Sequence, residues 1–113
     1  MTDPISASEV EVVDNPTDRR YEARLEGEIA GISQYRLEPE AGRIVFIHTE
    51  VDPKFEGRGV GSRLASGALA DVRARGLKVV SECPFISAYL RRHADYADIV
   101  DDRIAPRSAS EQR

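Results

Sequence analysis

The run Val51-Asp52-Pro53-Lys54-Phe55-Glu56-Gly57-Arg58-Gly59-Val60-Gly61-Ser62 marks the place where the chain changes period. Upstream, apolar and polar residues alternate as in strands. Downstream, Val60, Leu64, Ala68 and Val72 recur at helical spacing, flanked by Ala65 and Leu69. Gly57, Gly59 and Gly61 therefore fall at a strand-to-helix junction. Glycines there let successive backbone N–H groups point outward from the helix start. The helix dipole adds partial positive charge, so such a turn favours phosphate oxygens. Lys54 and Arg58 add formal charge beside it. The P-loop spacing fails, because no Gly-Lys-Ser/Thr follows. The Rossmann spacing fails too: the glycines alternate, and the preceding strands read as antiparallel rather than as half of a βαβ unit. Taken alone, the run also fits a glycine-rich turn that only starts a helix.

Working upstream, Ile44-Val45-Phe46-Ile47, extended by His48-Thr49-Glu50-Val51, reads as a central strand. A turn at Glu38–Gly42 precedes it. Ile29–Leu37 and Arg19–Leu25 read as strands joined by a tight hairpin at Glu26-Gly27-Glu28. In the second of these, Tyr21, Ala23 and Leu25 alternate with Arg20, Glu22 and Arg24, which predicts a half-buried strand with the charged set in solvent. Asn15–Asp18 is a turn, and Glu9–Asp14 a short first strand. The front half is thus an antiparallel meander of about four strands.

Downstream, Gly76 closes the amphipathic helix, and Lys78–Ser81 forms a short strand. Pro84 opens a second helix through His93, with Phe85, Ala88 and Tyr89 on one face. Asp95–Val100 reads as either a helical turn or a last strand. The fold class is α/β: a four-strand meander, a helix, a fifth strand and a closing helix. The chain divides into a flexible N-terminus (1–8), one domain (9–102) and a flexible tail (103–113).

At 113 residues there is room for one domain. No apolar run approaches the ~20 residues of a membrane span. The first ten residues lack the basic-then-apolar pattern of a signal peptide. Cys83 is the only cysteine, which excludes an internal disulfide and a multi-cysteine metal site, and makes a reducing cytoplasm the expected compartment. His48 and His93 are the only histidines, so a zinc site is not expected. The net charge of −4 argues against nucleic acid as a partner. Residues 1–50 carry five basic and eleven acidic side chains, whereas 54–92 carry eight basic and three acidic. That asymmetry reads either as surface scatter or as an anion held by the middle of the chain and a cation faced by its front.

Glu56-Gly57-Arg58-Gly59-Val60-Gly61 is similar to the acetyl-CoA-binding motif of the GCN5-related N-acetyltransferases, Arg/Gln-x-x-Gly-x-Gly/Ala, with Glu56 where Arg or Gln is usual. With His48-Thr49-Glu50-Val51 before it and Cys83-Pro84-Phe85-Ile86 after it, the chain resembles the minimal members of that family over about residues 9–100. The resemblance implies an N-acetyltransferase that moves acetyl from acetyl-CoA to an amine, on a small molecule or on a protein lysine or N-terminus. Backbone groups of Arg58, Gly59, Val60, Gly61 and Ser62 would hold the pyrophosphate, and groups around Ile47–Val51, Val51 among them, the pantetheine. Typical members carry two helices after the first strand, where this chain has only a turn, so the acceptor side would be open.

Attack of an amine on a thioester needs a proton acceptor and a donor for developing charge. Glu50, at the end of the central strand, is a candidate acceptor, with a rim ion pair as its plainer role. His48 lies on the same face by strand alternation and is a second candidate. Cys83 would lie near the thioester, as a nucleophile or a proton donor, or else as a small core residue. Tyr89 falls one residue from the family's usual acid position, which Leu90 occupies, and is expected in the core. Two rival readings stand beside the enzyme: a non-catalytic CoA-binding module, and an interaction domain whose glycine loop is only a turn.

Overall fold

A computed structural model describes residues 10–101. The segments expected to be flexible, 1–8 and 103–113, lie outside the described residues. Five strands, β1 (Glu11–Asn15), β2 (Arg20–Leu25), β3 (Glu28–Glu38), β4 (Arg43–Val51) and β5 (Lys78–Ser81), form one sheet in the order β1-β2-β3-β4-β5. The first four pair antiparallel through short turns. Helix α1 (Val60–Ala74) then carries the chain back to β5, which pairs parallel to β4. The glycine run therefore does sit in a βαβ crossover, contrary to the reading from the sequence. A strand of four residues that follows a helix gives no sign of its direction until it is paired. Helix α2 (Pro84–Arg92) follows, and the ambiguous segment after it is a 3-10 turn, Ala94–Ile99, after which Val100 bridges to Val79.

Both helices cover the same face of the sheet. Tyr21, Ala23, Leu25, Tyr35, Ile44, Phe46 and Val79 meet Val60, Leu64, Ala65, Ala68, Leu69 and Val72 of α1 in one core, joined by Ile86 and Tyr89 of α2. In α2 the fully buried position is Ile86, while Phe85 is only half-buried. Gly67 lets α1 approach β1: a Cβ there would stand 2.7 Å from Val12 Cβ. Tyr21 and Tyr35 reach out of the core to Asp71 and Asp14, and Arg75 bonds both carboxylates.

The opposite, open face departs from expectation at Glu22. Its carboxylate is not in solvent but 1% exposed. Asn15 Nδ2 donates to it at 2.9 Å, Arg24 at 2.7 Å and Arg20 at 2.9 Å. These donors hold its pKa down at about 2, the Asn15 and Arg24 bonds being the strongest causes.

Two strands are bulged. Gln34 pairs with His48 but Tyr35 with Phe46, so Ile47 is the extra residue in β4. Likewise, Ala23 pairs with Gly31 and Arg24 with Ile29, leaving Ala30 extra in β3. The bulge at Ile47 decides the site. Before it, Phe46 faces the helices. After it, alternation restarts, so Thr49 and Val51 face the helices and His48 and Glu50 face the open side.

Candidate functional site

The pairing of β4 with β5 stops at Phe46 and Ser81, followed by one more bond from Glu82 N–H to the Phe46 carbonyl at 2.8 Å. Strand β4 continues through Ile47–Val51 past the end of β5 at Ser81, which leaves a wedge between β4 and the start of α2. On its other side the Asp52 N–H bonds the Ala30 carbonyl. Strand alternation then turns the amide and carbonyl groups of Thr49 and Val51 toward the wedge.

The first turn of α1 stands at the wedge mouth. A Cβ on Gly61 would lie 2.9 Å from Phe85 Cζ and 3.5 Å from Val51 Cγ2, so β4, α1 and α2 converge there. Gly59 is the N-cap, at φ 81°, and its side makes no capping bond. Gly57 is also left-handed, at φ 82°. Both conformations favour glycine, which is the local reason for this turn. The first N–H to find a helical partner is that of Arg63, at the Gly59 carbonyl. The N–H groups of Val60, Gly61 and Ser62 stand outside the ladder, at the positive end of a helix of 15 residues.

Of the basic side chains in this half, several are already engaged. Lys54 pairs with Glu28 at 2.9 Å, and that carboxylate raises its pKa. Arg73 and Arg75 pair with Asp98 and with Asp14 and Asp71. Arg58, Arg91 and Arg92 form no ion pair among the described residues, and Arg58 lies over the Phe55 ring at 5.6 Å. Asp52 holds the turn by accepting from Lys54 N–H at 2.9 Å.

The three expected reacting side chains are not gathered in one cluster. His48 Nε2 and Glu50 Oε2 are 2.8 Å apart and well exposed on the open face. Cys83 lies on the helix side, 2% exposed, at the N-cap of α2. Its thiol donates to Thr49 Oγ1 at 3.3 Å, and Thr49 Oγ1 is 2.9 Å from Ser33 Oγ. That contact ties β4 to the start of α2 beneath the wedge. Ser81 Oγ donates to the Cys83 carbonyl and accepts from its N–H, fixing the backbone there. Strand β4 thus separates a carboxylate and an imidazole on one face from a thiol on the other. Tyr89 is core, stacked on His93 at 3.8 Å between ring centres. Thr49 and Ser33 were not singled out from the sequence, since a threonine or serine in a strand reads as strand propensity. Among the described residues no group of His, Cys, Asp and Glu could hold a metal ion, and no helix is long and apolar enough to cross a membrane.

A family model described as GCN5-related N-acetyl-transferase matches residues 20–99, from β2 to the end of the last 3-10 turn. The chain belongs to the GCN5-related N-acetyltransferase family. The fold agrees. The solution structure of a GCN5-like candidate N-acetyltransferase from Staphylococcus aureus superposes with a TM-score of 0.62 and 23% identity, over 83% of this chain and 90% of that one. No curated protein sequence matches the chain. Family membership carries acetyl transfer as the general activity.

Proposed function

We propose that the protein is an acetyl-CoA-dependent N-acetyltransferase acting on an amine. The observation that carries this reading is the wedge: a stretch of β4 paired with β3 on one side but with no β5 partner on the other, a helix N-terminus at its mouth, and proton-handling groups on both faces of the strand. The residues present fit the cosubstrate. Free N–H groups of Val60, Gly61 and Ser62 suit a pyrophosphate, with Arg58 adding charge. The backbone groups of Thr49 and Val51 suit the pantetheine amides, in the way an edge strand takes up an extended partner. Arg91 and Arg92 are left for a further phosphate.

In this reading the acetyl thioester supplies the activated carbonyl, and the chain handles the protons. The acceptor amine comes from the open face, which no helix among the described residues covers. Glu50, or His48 beside it, takes the amine proton. The thiol of Cys83 gives a proton to the departing CoA sulfur from the other face. Transfer is therefore direct, because the base and the thiol stand on opposite sides of β4 and not in a nucleophile–base pair. A reducing compartment such as the cytoplasm suits a working free thiol. Titration of the ¹⁵N-labelled protein with coenzyme A tests the cosubstrate site. The expected shifts centre on the amides of Val60–Ser62 and Thr49–Val51; shifts confined elsewhere would overturn it. Binding without any acetylated product would favour a CoA-binding module instead.

A further inference from the structure

We propose that Thr49 is the positioning residue of the reaction: its hydroxyl aims the Cys83 thiol and then donates to the sulfur once the thiol proton has gone. This rests on the reading of Cys83 as proton donor. Thr49 Oγ1 is the one side-chain partner of the thiol among the described residues, at 3.3 Å. Both histidines are elsewhere: His48 is held at Glu50 on the opposite face, and His93 Nδ1 sits 2.9 Å from the Tyr89 carbonyl. Among the described residues no cation pairs with the sulfur, so a thiolate at this buried position needs a hydrogen-bond donor. A hydroxyl meets both states, since it accepts from S–H and, after rotation, donates to S⁻. Ser33, fully buried on β3 directly opposite Thr49, holds that hydroxyl at 2.9 Å. The Ile47 bulge brings Thr49 to this face; unbroken alternation from Phe46 would have turned it to the open side.

The amine nitrogen forms a bond to the acetyl carbon, and the carbon–sulfur bond of the thioester breaks. The CoA sulfur keeps that electron pair and takes the Cys83 proton. Thr49 O–H then donates to the Cys83 thiolate, while the amine proton rests on Glu50 or His48. Water returns a proton to Cys83 and removes one from the base, so the net change is amine plus acetyl-CoA to amide plus CoA thiol.

The test compares wild type with Thr49→Val, which keeps the shape, and Thr49→Ser, which keeps the hydroxyl. Infrared spectroscopy reads the S–H stretch of the only thiol. In wild type the band is expected below that of a free thiol, shifted back upward in Thr49→Val and restored in Thr49→Ser. Carbamidomethylation of Cys83 at fixed pH is expected to slow about tenfold in Thr49→Val, the effect of one hydrogen bond, and to recover within about twofold in Thr49→Ser. In turnover, kcat falls in Thr49→Val with little change in KM for acetyl-CoA. A wild-type band at the free-thiol position would overturn the proposal without any variant. So would Thr49→Val behaving like wild type, or Thr49→Ser behaving like Thr49→Val. The band and the alkylation rate need no cosubstrate. If no amine is acetylated, they still decide whether Thr49 sets the state of the Cys83 thiol, while the enzymatic reading falls and the reaction role of Thr49 with it.

Discussion

Gly61 and Phe85 meet with no room for a methyl group between them: a Cβ on Gly61 would stand 2.9 Å from Phe85 Cζ. The third glycine of the run thus serves helix–helix contact as well as the N-terminal turn, and it couples the first turn of α1 to α2, the helix that Cys83 caps. Gly61→Ala is expected to destabilise the fold by about 1–3 kcal/mol through overpacking. Adding Phe85→Leu should recover most of that loss. Urea unfolding of the two single variants and the double variant measures the coupling; simple additivity would show that the contact is relaxed in solution.

Ser62 offers a cleaner probe of the proposed cosubstrate site, because it is exposed in the first turn of α1. A carboxylate there interacts favourably with the helix dipole but repels a pyrophosphate. Ser62→Glu should therefore leave stability unchanged or raise it by about 0.3–1 kcal/mol, while weakening coenzyme A binding by over ~1 kcal/mol. Thermal unfolding and calorimetric titration read the two effects separately. Affinity that is unaltered in a well-folded Ser62→Glu protein would move the phosphates away from α1.

Cys83→Ala should keep coenzyme A affinity within about twofold and lower turnover by about tenfold or more, a loss of roughly 1.4 kcal/mol in transition-state stabilisation. Mass spectrometry of wild type with acetyl-CoA and no amine should show no added acetyl group on Cys83. An adduct that amine then discharges would replace direct transfer with a two-step route.

Glu22 predicts an acid limb of stability. Its folded pKa, about 2, lies below the ordinary carboxylate value, so its contribution is full above about pH 4.5 and is lost as pH falls toward 2. Glu22→Gln should cost about 1–2 kcal/mol at neutral pH, moderated because the side chain of Arg24 is half exposed and can turn to water. The gap between the two proteins in urea denaturation should close across that acidic window. A gap that stays constant with pH would mean the carboxylate is not charged in the fold.

The four-strand meander, both helices and the glycine turn were legible because each leaves a period or a breaker in the sequence. Val60, Leu64, Ala68 and Val72 all lie in the core as their spacing requires. The parallel direction of β5 was not legible, since pairing partners far apart in the chain leave no local mark. Nor was the bulge at Ile47, one apolar residue among four, although it sets which side of β4 each later residue faces. His48 and Glu50 could be placed together because both follow the bulge; that Cys83 lies across the strand from them could not be read. Glu22 misled because alternation assigns faces and says nothing of two flanking arginines folding over a carboxylate.

The proposed function stands or falls with amine-dependent transfer from acetyl-CoA. Release of the CoA thiol, followed with a panel of primary amines and lysine peptides, tests it most directly. Release is expected to depend on both protein and amine, to be matched by acetylated product, and to fall about tenfold or more in Glu50→Gln/His48→Gln. Wild-type protein shown to bind coenzyme A, yet releasing no more thiol with any amine than without, would contradict it.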